Sequence, residues 1–109
     1  MTAGTSDPAR VRVIRLLRVR EGMEEEFVRT YGDVRAGAER LPGHLGEQLC
    51  RSLEDPAQWL LTSEWADLEA IKSWRTGSAH RTLVEPMNAC LHDDRWTGVF
   101  HVRETVEDH

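Results

Sequence analysis

One histidine, His80, has the sequence context of a general base. It lies near the start of a predicted helix, on the same stripe as Val84, Met87 and Leu91, so its ring should face the sheet side of that helix. An imidazole has an ordinary pKa of about 6.5, which suits proton transfer near neutral pH. The alternative is a structural role, in which the His80 side chain hydrogen-bonds a nearby backbone carbonyl. His80 is therefore a candidate base whose function depends on what surrounds it.

A single arginine, Arg15, interrupts one apolar face of the segment 11–19. Burial of an unpaired guanidinium is costly, so Arg15 requires an acidic partner, a ligand oxygen or solvent. In a functional role it would bind a phenolate or enolate oxygen and so favour deprotonation of a substrate. In a structural role it would pair with Glu47 or Glu64 on neighbouring strands.

Tryptophan makes up most of the aromatic content, with four residues in 109. Such residues could form a pocket for flat, polycyclic ligands, or they could fill the core and a subunit interface. No metal motif such as HExxH is present, and GxGxxG, Walker and GxSxG sequences are also missing. We therefore predict no metal and no cofactor, so an enzyme of this sequence would work without flavin, nicotinamide or a serine nucleophile.

Composition narrows the classes of partner. The net charge is −5 and the pI is about 5.5, which disfavours nucleic acid because there is no basic excess to neutralise phosphates. No apolar run approaches the roughly 18 residues of a membrane span, and the first ten residues lack the apolar core of a signal peptide. Two cysteines without CxxC spacing suit a reducing compartment. These features predict a cytoplasmic protein that binds neither membrane nor nucleic acid.

Periodicity predicts one domain over residues 11–106, with a disordered leader at 1–10 and a tail at 107–109. Apolar residues on both faces of the first strand imply that a partner chain covers one of them. Asp67 can cap a short helix, and Thr76-Gly77 ends it. The predicted order is strand 11–19, helix 21–39, strands 44–53 and 57–65, two helices, and strand 95–106, which is the α+β ferredoxin-like βαββαβ pattern.

Several short motifs occur together in this order. They are Leu41-Pro42-Gly43-His44-Leu45-Gly46, Gln48-Leu49, Pro56, Trp59, Ser63-Glu64-Trp65, Ile71, Trp74, Ser78 and His80. In these the sequence resembles the antibiotic biosynthesis monooxygenase family over roughly residues 11–105. The resemblance implies a dimeric α/β barrel, that is, a homodimer with a hydrophobic pocket in each subunit, and it makes Trp74 the expected pocket wall.

The superfamily also contains haem-degrading enzymes, and the resemblance allows a comparison with that branch. Those enzymes carry an axial histidine nine or ten residues after the tryptophan that corresponds to Trp74, where this chain has Leu83 or Val84. They also carry an asparagine on the first strand, near Arg15. Both departures make haem degradation the less favoured activity.

The resemblance and the candidate residues together predict a cofactor-independent monooxygenase that uses dioxygen to oxidise an aromatic polyketide-type phenol or anthrone to a quinone. The substrate class rests on the resemblance alone. The alternatives are a non-catalytic dimeric protein that binds a hydrophobic ligand, and a polyketide cyclase or isomerase on the same fold. In the favoured interpretation His80 and Arg15 are catalytic, and the substrate-binding residues are Trp74, Tyr31, Trp65, Val84 and Met87.

Overall fold

The computed structural model describes residues 10–106 and confirms the α+β ferredoxin-like fold. All neighbouring strands are antiparallel, and their order in the sheet is β2-β3-β1-β4. The predicted leader and tail lie outside the described residues, except for Arg10, which pairs with Glu64. The elements are β1 (Val11–Arg18), α1 (Glu24–Glu39), β2 (His44–Arg51), β3 (Gln58–Trp65), α2 (Leu68–Thr76), α3 (Ser78–Asn88) and β4 (Trp96–His101).

Element ends follow local chemistry. The chain turns between β1 and α1 at Gly22, whose φ of +83° is costly for any residue with a Cβ, and α1 begins only at Glu24. The Asp67 side chain accepts a hydrogen bond of 2.9 Å from the Ala70 amide, which confirms it as the cap of α2. The last strand is shorter than predicted, because β4 ends at His101 and residues 102–106 have no regular structure.

The helices pack on one face of the sheet and bury two apolar clusters. One cluster surrounds Leu17, Phe27 and Met87, and the other surrounds Val13 and Trp65. Trp74 of α2 packs against both clusters and so joins them. α1 approaches α3 closely at Gly37, where an added Cβ would force the end of the Leu83 side chain to move.

The other face of the sheet is not covered by any part of residues 10–106. Leu16 is 38% exposed, and Trp96 and Phe100 of β4 are 49% and 46% exposed. The register places these residues beside Ile14, the other apolar residue of β1 on this face.

Within the described range, no helix combines the length and the apolar character needed to cross a membrane.

Candidate functional site

A cavity of about 500 Å³ lies between the helices and the sheet, where the two core clusters meet. Its volume falls within the range typical of small-molecule sites. Every strand and every helix contributes to it. The lining residues are Val13, Arg15, Val34, Ala38, Glu47, Leu61, Ser63, Trp65, Ile71, Trp74, Arg75, His80, Val84, Asn88, Thr97 and Val99.

Strand register explains which side chains form the floor of the cavity. One row across the sheet consists of Glu47, Ser63, Val13 and Val99, which pair in turn from β2 to β4. The next row contains Leu61, Arg15 and Thr97. Because side chains alternate between the faces of a strand, all of these residues point toward the helices.

The cavity has an open end and a closed end. Thr97 and Val99 of β4 are exposed, as is Arg75 of α2, so the mouth lies on the β4 side. At the β2 end the Glu47 side chain is only 6% exposed. Three strand spacings of about 4.8 Å separate β2 from β4, so the floor is about 14 Å across.

The imidazole of His80 forms one wall of the cavity. Its ring meets the Trp74 ring edge to face, with centroids 4.9 Å apart. Within residues 10–106 the His80 side chain makes no hydrogen bond, so the structural alternative of a contact with a backbone carbonyl is not observed there. Burial lowers the pKa of His80 below its ordinary value, and the positive charges of Arg15 and Arg75 lower it further. The ring is therefore neutral at pH 7 and can accept a proton.

Arg15 lies at the middle of the floor. Neither of the two acidic partners considered for Arg15 pairs with it. Glu64 pairs with Arg10 and Arg12 on the opposite face of the sheet, and Glu47 is bonded to Tyr31 and His44. No ion pair to Arg15 forms among the described residues. Burial lowers the pKa of Arg15, and the nearby charges of Arg95 and Arg75 lower it further. The guanidinium is thus a partly desolvated cation that faces the cavity, which suits it to an anionic ligand oxygen.

Glu47 provides a carboxylate at the closed end. The Tyr31 hydroxyl donates a hydrogen bond of 2.6 Å to Glu47 Oε2, and His44 Nε2 lies 2.9 Å from Oε1. Burial, followed by the contact with Glu47, raises the pKa of Tyr31 far above its ordinary value, so the phenol remains protonated and acts as the donor. The carboxylate is consequently held in one position by two buried side chains.

The structure brings most of the predicted site residues together. His80, Arg15, Trp74, Trp65 and Val84 line one cavity. Two others lie behind its wall: the Tyr31 hydroxyl is bonded to Glu47, and Met87 is fully buried in the core. A direct contact of these two residues with substrate stays a prediction.

Sequence reasoning did not assign a site role to Glu47 or Ser63, nor to Arg75 or Asn88, all of which line the cavity. For Ser63 a signal existed, because it alternates with Leu61 and Trp65 on the inward face of β3. For Glu47 the signal was obscured by a register irregularity between His44 and Gly46 in β2. Residues 10–106 contain no group of three or more His, Cys, Asp or Glu side chains that could hold a metal ion.

Comparison with solved structures supports the fold. SnoaB from Streptomyces nogalater, described as a cofactor-independent oxygenase, superposes with a TM-score of 0.83. The alignment covers 92% of this chain and 99% of SnoaB, at 19% sequence identity. At that identity the likeness establishes the fold alone.

Closer sequence relatives come from Streptomyces. The 42.8 kDa protein in the whiE locus of Streptomyces coelicolor is 41% identical over 99 residues, which are 91% of this chain and 25% of that protein. Polyketide synthase CurD of Streptomyces cyaneus is 38% identical over 99 residues, which are 91% of this chain and 26% of that protein. This chain thus spans about a quarter of the length of these relatives.

A family description fits most of the sequence. Residues 10–86 match the family model described as antibiotic biosynthesis monooxygenase. The match includes most of the motifs on which the sequence resemblance rests, together with Arg15, Trp74 and His80 of the cavity. The chain therefore belongs to the antibiotic biosynthesis monooxygenase family.

Proposed function

We propose that this protein is a cofactor-independent oxygenase that converts an aromatic polyketide-type phenol or anthrone to a quinone. The observation that carries the proposal is the cavity in which a neutral imidazole, His80, and a partly desolvated guanidinium, Arg15, face the same space beside Trp74. The family and the polyketide synthase name of one relative support the substrate class.

The chemistry is balanced without a cofactor because the substrate supplies the electrons. His80 removes a proton from the methylene carbon of an anthrone, and Arg15 stabilises the resulting enolate oxygen. The enolate transfers one electron to dioxygen, and the two radicals combine to form a carbon–oxygen bond. The peroxide takes up the proton and then loses water as its O–O bond breaks, which leaves the quinone carbonyl. One anthrone and one dioxygen thus give one quinone and one water.

The protein contributes position and environment to these steps. Trp74 and Trp65 provide flat apolar surface for the ring system, and Val84 provides an aliphatic wall. Val34, Leu61 and Ile71 keep the reacting carbon away from water. Tyr31 and Met87 support this wall from behind.

We further propose that the protein is a homodimer in which the uncovered sheet face is the interface. Leu16, Trp96 and Phe100 form an exposed apolar surface on that face. An obligate interface of this kind buries on the order of 2,000 Å² or more in total. The protein is expected in the cytoplasm.

The test of the proposed function uses anthrone, chelator-treated protein and isotopically labelled dioxygen. We expect oxygen uptake to match quinone formation mole for mole, with one labelled oxygen in the quinone and the other in water. A cyclase or isomerase would transform its substrate under anaerobic conditions. A binding protein would hold the anthrone without consuming oxygen, and either result would contradict the proposal.

A further inference from the structure

The closed end of the cavity presents a hydrogen-bond acceptor beside a hydrogen-bond donor. A carboxylate offers about four acceptor positions, and Tyr31 and His44 occupy one on each oxygen of Glu47. Ser63 stands opposite Glu47 in the register. Its oxygen accepts a 2.9 Å hydrogen bond from the Trp65 indole N–H, so the Ser63 hydroxyl proton is free to be donated.

This pair of groups is complementary to a hydroxyl group. A phenolic O–H donates one hydrogen bond and accepts another, so it satisfies both Glu47 and Ser63. A ketone oxygen can only accept, and it would place its lone pairs against the carboxylate. A methyl group satisfies neither side chain and would leave both buried groups without the partner that water otherwise supplies.

The separation of Arg15 and Glu47 leaves room for a polycyclic ligand between them. Glu47 lies two strands away from Arg15 across the sheet and one row further along it. Strand spacing and residue rise give a backbone separation of about 12 Å. A fused system of three or more rings is comparable in length with this separation, so it can lie along the floor between the two residues.

We propose that Glu47, with Ser63, is the specificity site for a phenolic hydroxyl on the outer ring of a polycyclic substrate, at the end away from the oxidised carbon. This inference rests on the proposed function, because it takes Arg15 as the site of the enolate oxygen. Tyr31 and His44 are positioning residues that hold the Glu47 carboxylate toward the cavity.

The experiment compares anthrone with an anthrone that carries one hydroxyl on an outer ring. In the wild-type protein the hydroxylated compound should have a KM lower by about 10- to 100-fold, the usual worth of a hydrogen bond to a charged group. Glu47→Gln should abolish most of this preference by raising the KM of the hydroxylated compound, because the substrate hydroxyl loses its charged acceptor. Glu85→Gln is the matched control, since Glu85 is an exposed carboxylate on α3 outside the cavity.

Further variants and a binding measurement complete the test. Tyr31→Phe should weaken the preference only in part, because the carboxylate remains but loses one of the two groups that position it. Ser63→Ala should lose part of the preference for the hydroxylated anthrone. This variant tests the specificity site if Glu47→Gln does not fold.

Quenching of tryptophan fluorescence by anthraquinone and by a hydroxyanthraquinone reports binding without turnover. Absence of oxygen uptake with both anthrones would contradict only the proposed function. An equal affinity of the wild-type protein for the two quinones, or a preference retained in Glu47→Gln and Ser63→Ala, would overturn the specificity site.

Discussion

His80 of α3 and Trp74 of α2 meet edge to face, with ring planes at 88° and centroids 4.9 Å apart. They are brought together by the break at Gly77, which ends one helix and begins the next in an extended conformation. Because both rings line the cavity, the indole fixes the orientation of the imidazole as well as providing surface for a ligand. Each of the two residues should therefore have its own kinetic signature.

Replacement of Trp74 should mainly weaken substrate binding. Trp74→Ala is expected to raise KM by about 10-fold with a smaller change in kcat, because stacking is shared by the ground state and the transition state. Trp74→Phe should restore part of the loss. Steady-state oxygen uptake with an anthrone measures both constants, and a large fall in kcat at unchanged KM would contradict a stacking role.

Replacement of His80 should mainly slow turnover. We expect His80→Ala to lower kcat by about 10²–10⁴-fold, the range that general base catalysis supplies. Added imidazole should restore part of the activity, since the variant leaves space for it in the cavity. His92→Ala is the control, because His92 is exposed beyond the end of α3. Circular dichroism and light scattering must show that each variant is folded and has the wild-type mass.

A folded His80→Ala protein with full activity would show that the base is another residue. Tyr31 and His101 are weaker alternatives for the base. The raised pKa of Tyr31 keeps its hydroxyl protonated, and His101 does not line the cavity.

The pH dependence of kcat/KM should follow the lowered pKa of His80. A base must be unprotonated to act, so activity should rise with pH with a midpoint below 6.5, the ordinary pKa of histidine. Arg75→Gln removes one of the positive charges that lower this pKa, so the rise should move to higher pH. Arg81→Gln, at an exposed position on α3, should leave the profile unchanged. A rise that does not move in Arg75→Gln would contradict the assignment to His80.

Much of the fold could be predicted because each element carries its own local signal. Alternation in β1 placed Arg15 among inward residues, and the cap at Asp67 marked the start of α2. The end of the last strand was predicted wrongly, because strand pairing rather than the sequence pattern sets that boundary. Residues 102–106 have strand-like composition, but β4 ends at His101.

The site was harder to predict because its residues come from seven elements. His80, Arg15 and Trp74 stood out individually as unusual residues in apolar surroundings. Glu47 did not, because its role depends on the positions of Tyr31 and His44, which are 16 residues and 3 residues away along the chain. Sequence spacing does not determine such contacts until the β2–β3 register is known.

The homodimer should depend on the uncovered sheet face. Light scattering coupled to gel filtration should give twice the 12.5 kDa mass of the chain at micromolar concentration. Phe100→Glu should shift the protein toward the monomer, because it places a charge within an apolar interface. Val28→Glu is a matched control, since Val28 is also 46% exposed but lies on α1. A wild-type monomer, or equal effects of the two substitutions, would contradict the proposed interface.

Replacement of Arg15 should lower kcat without lowering the Tm, which distinguishes a catalytic role from a structural one. A structural arginine stabilises the fold through its partner, whereas Arg15 is a partly desolvated cation without an ion pair among residues 10–106. Arg15→Leu should therefore leave the Tm unchanged or raise it, because the substitution removes a partly buried charge and adds apolar contact.

The same substitution should lower kcat by about 10²–10³-fold, as expected for loss of a group that stabilises a developing oxyanion. The KM should change less than kcat, because the charge on the substrate oxygen develops during deprotonation. Arg18→Leu provides the contrast on the same strand: Arg18 pairs with Asp55 at 2.8 Å, so its loss should lower Tm and leave kcat unchanged. Thermal unfolding and oxygen uptake on the two variants measure both quantities. A fall in Tm of Arg15→Leu with normal kcat would show that Arg15 is structural and would remove it from the proposed mechanism.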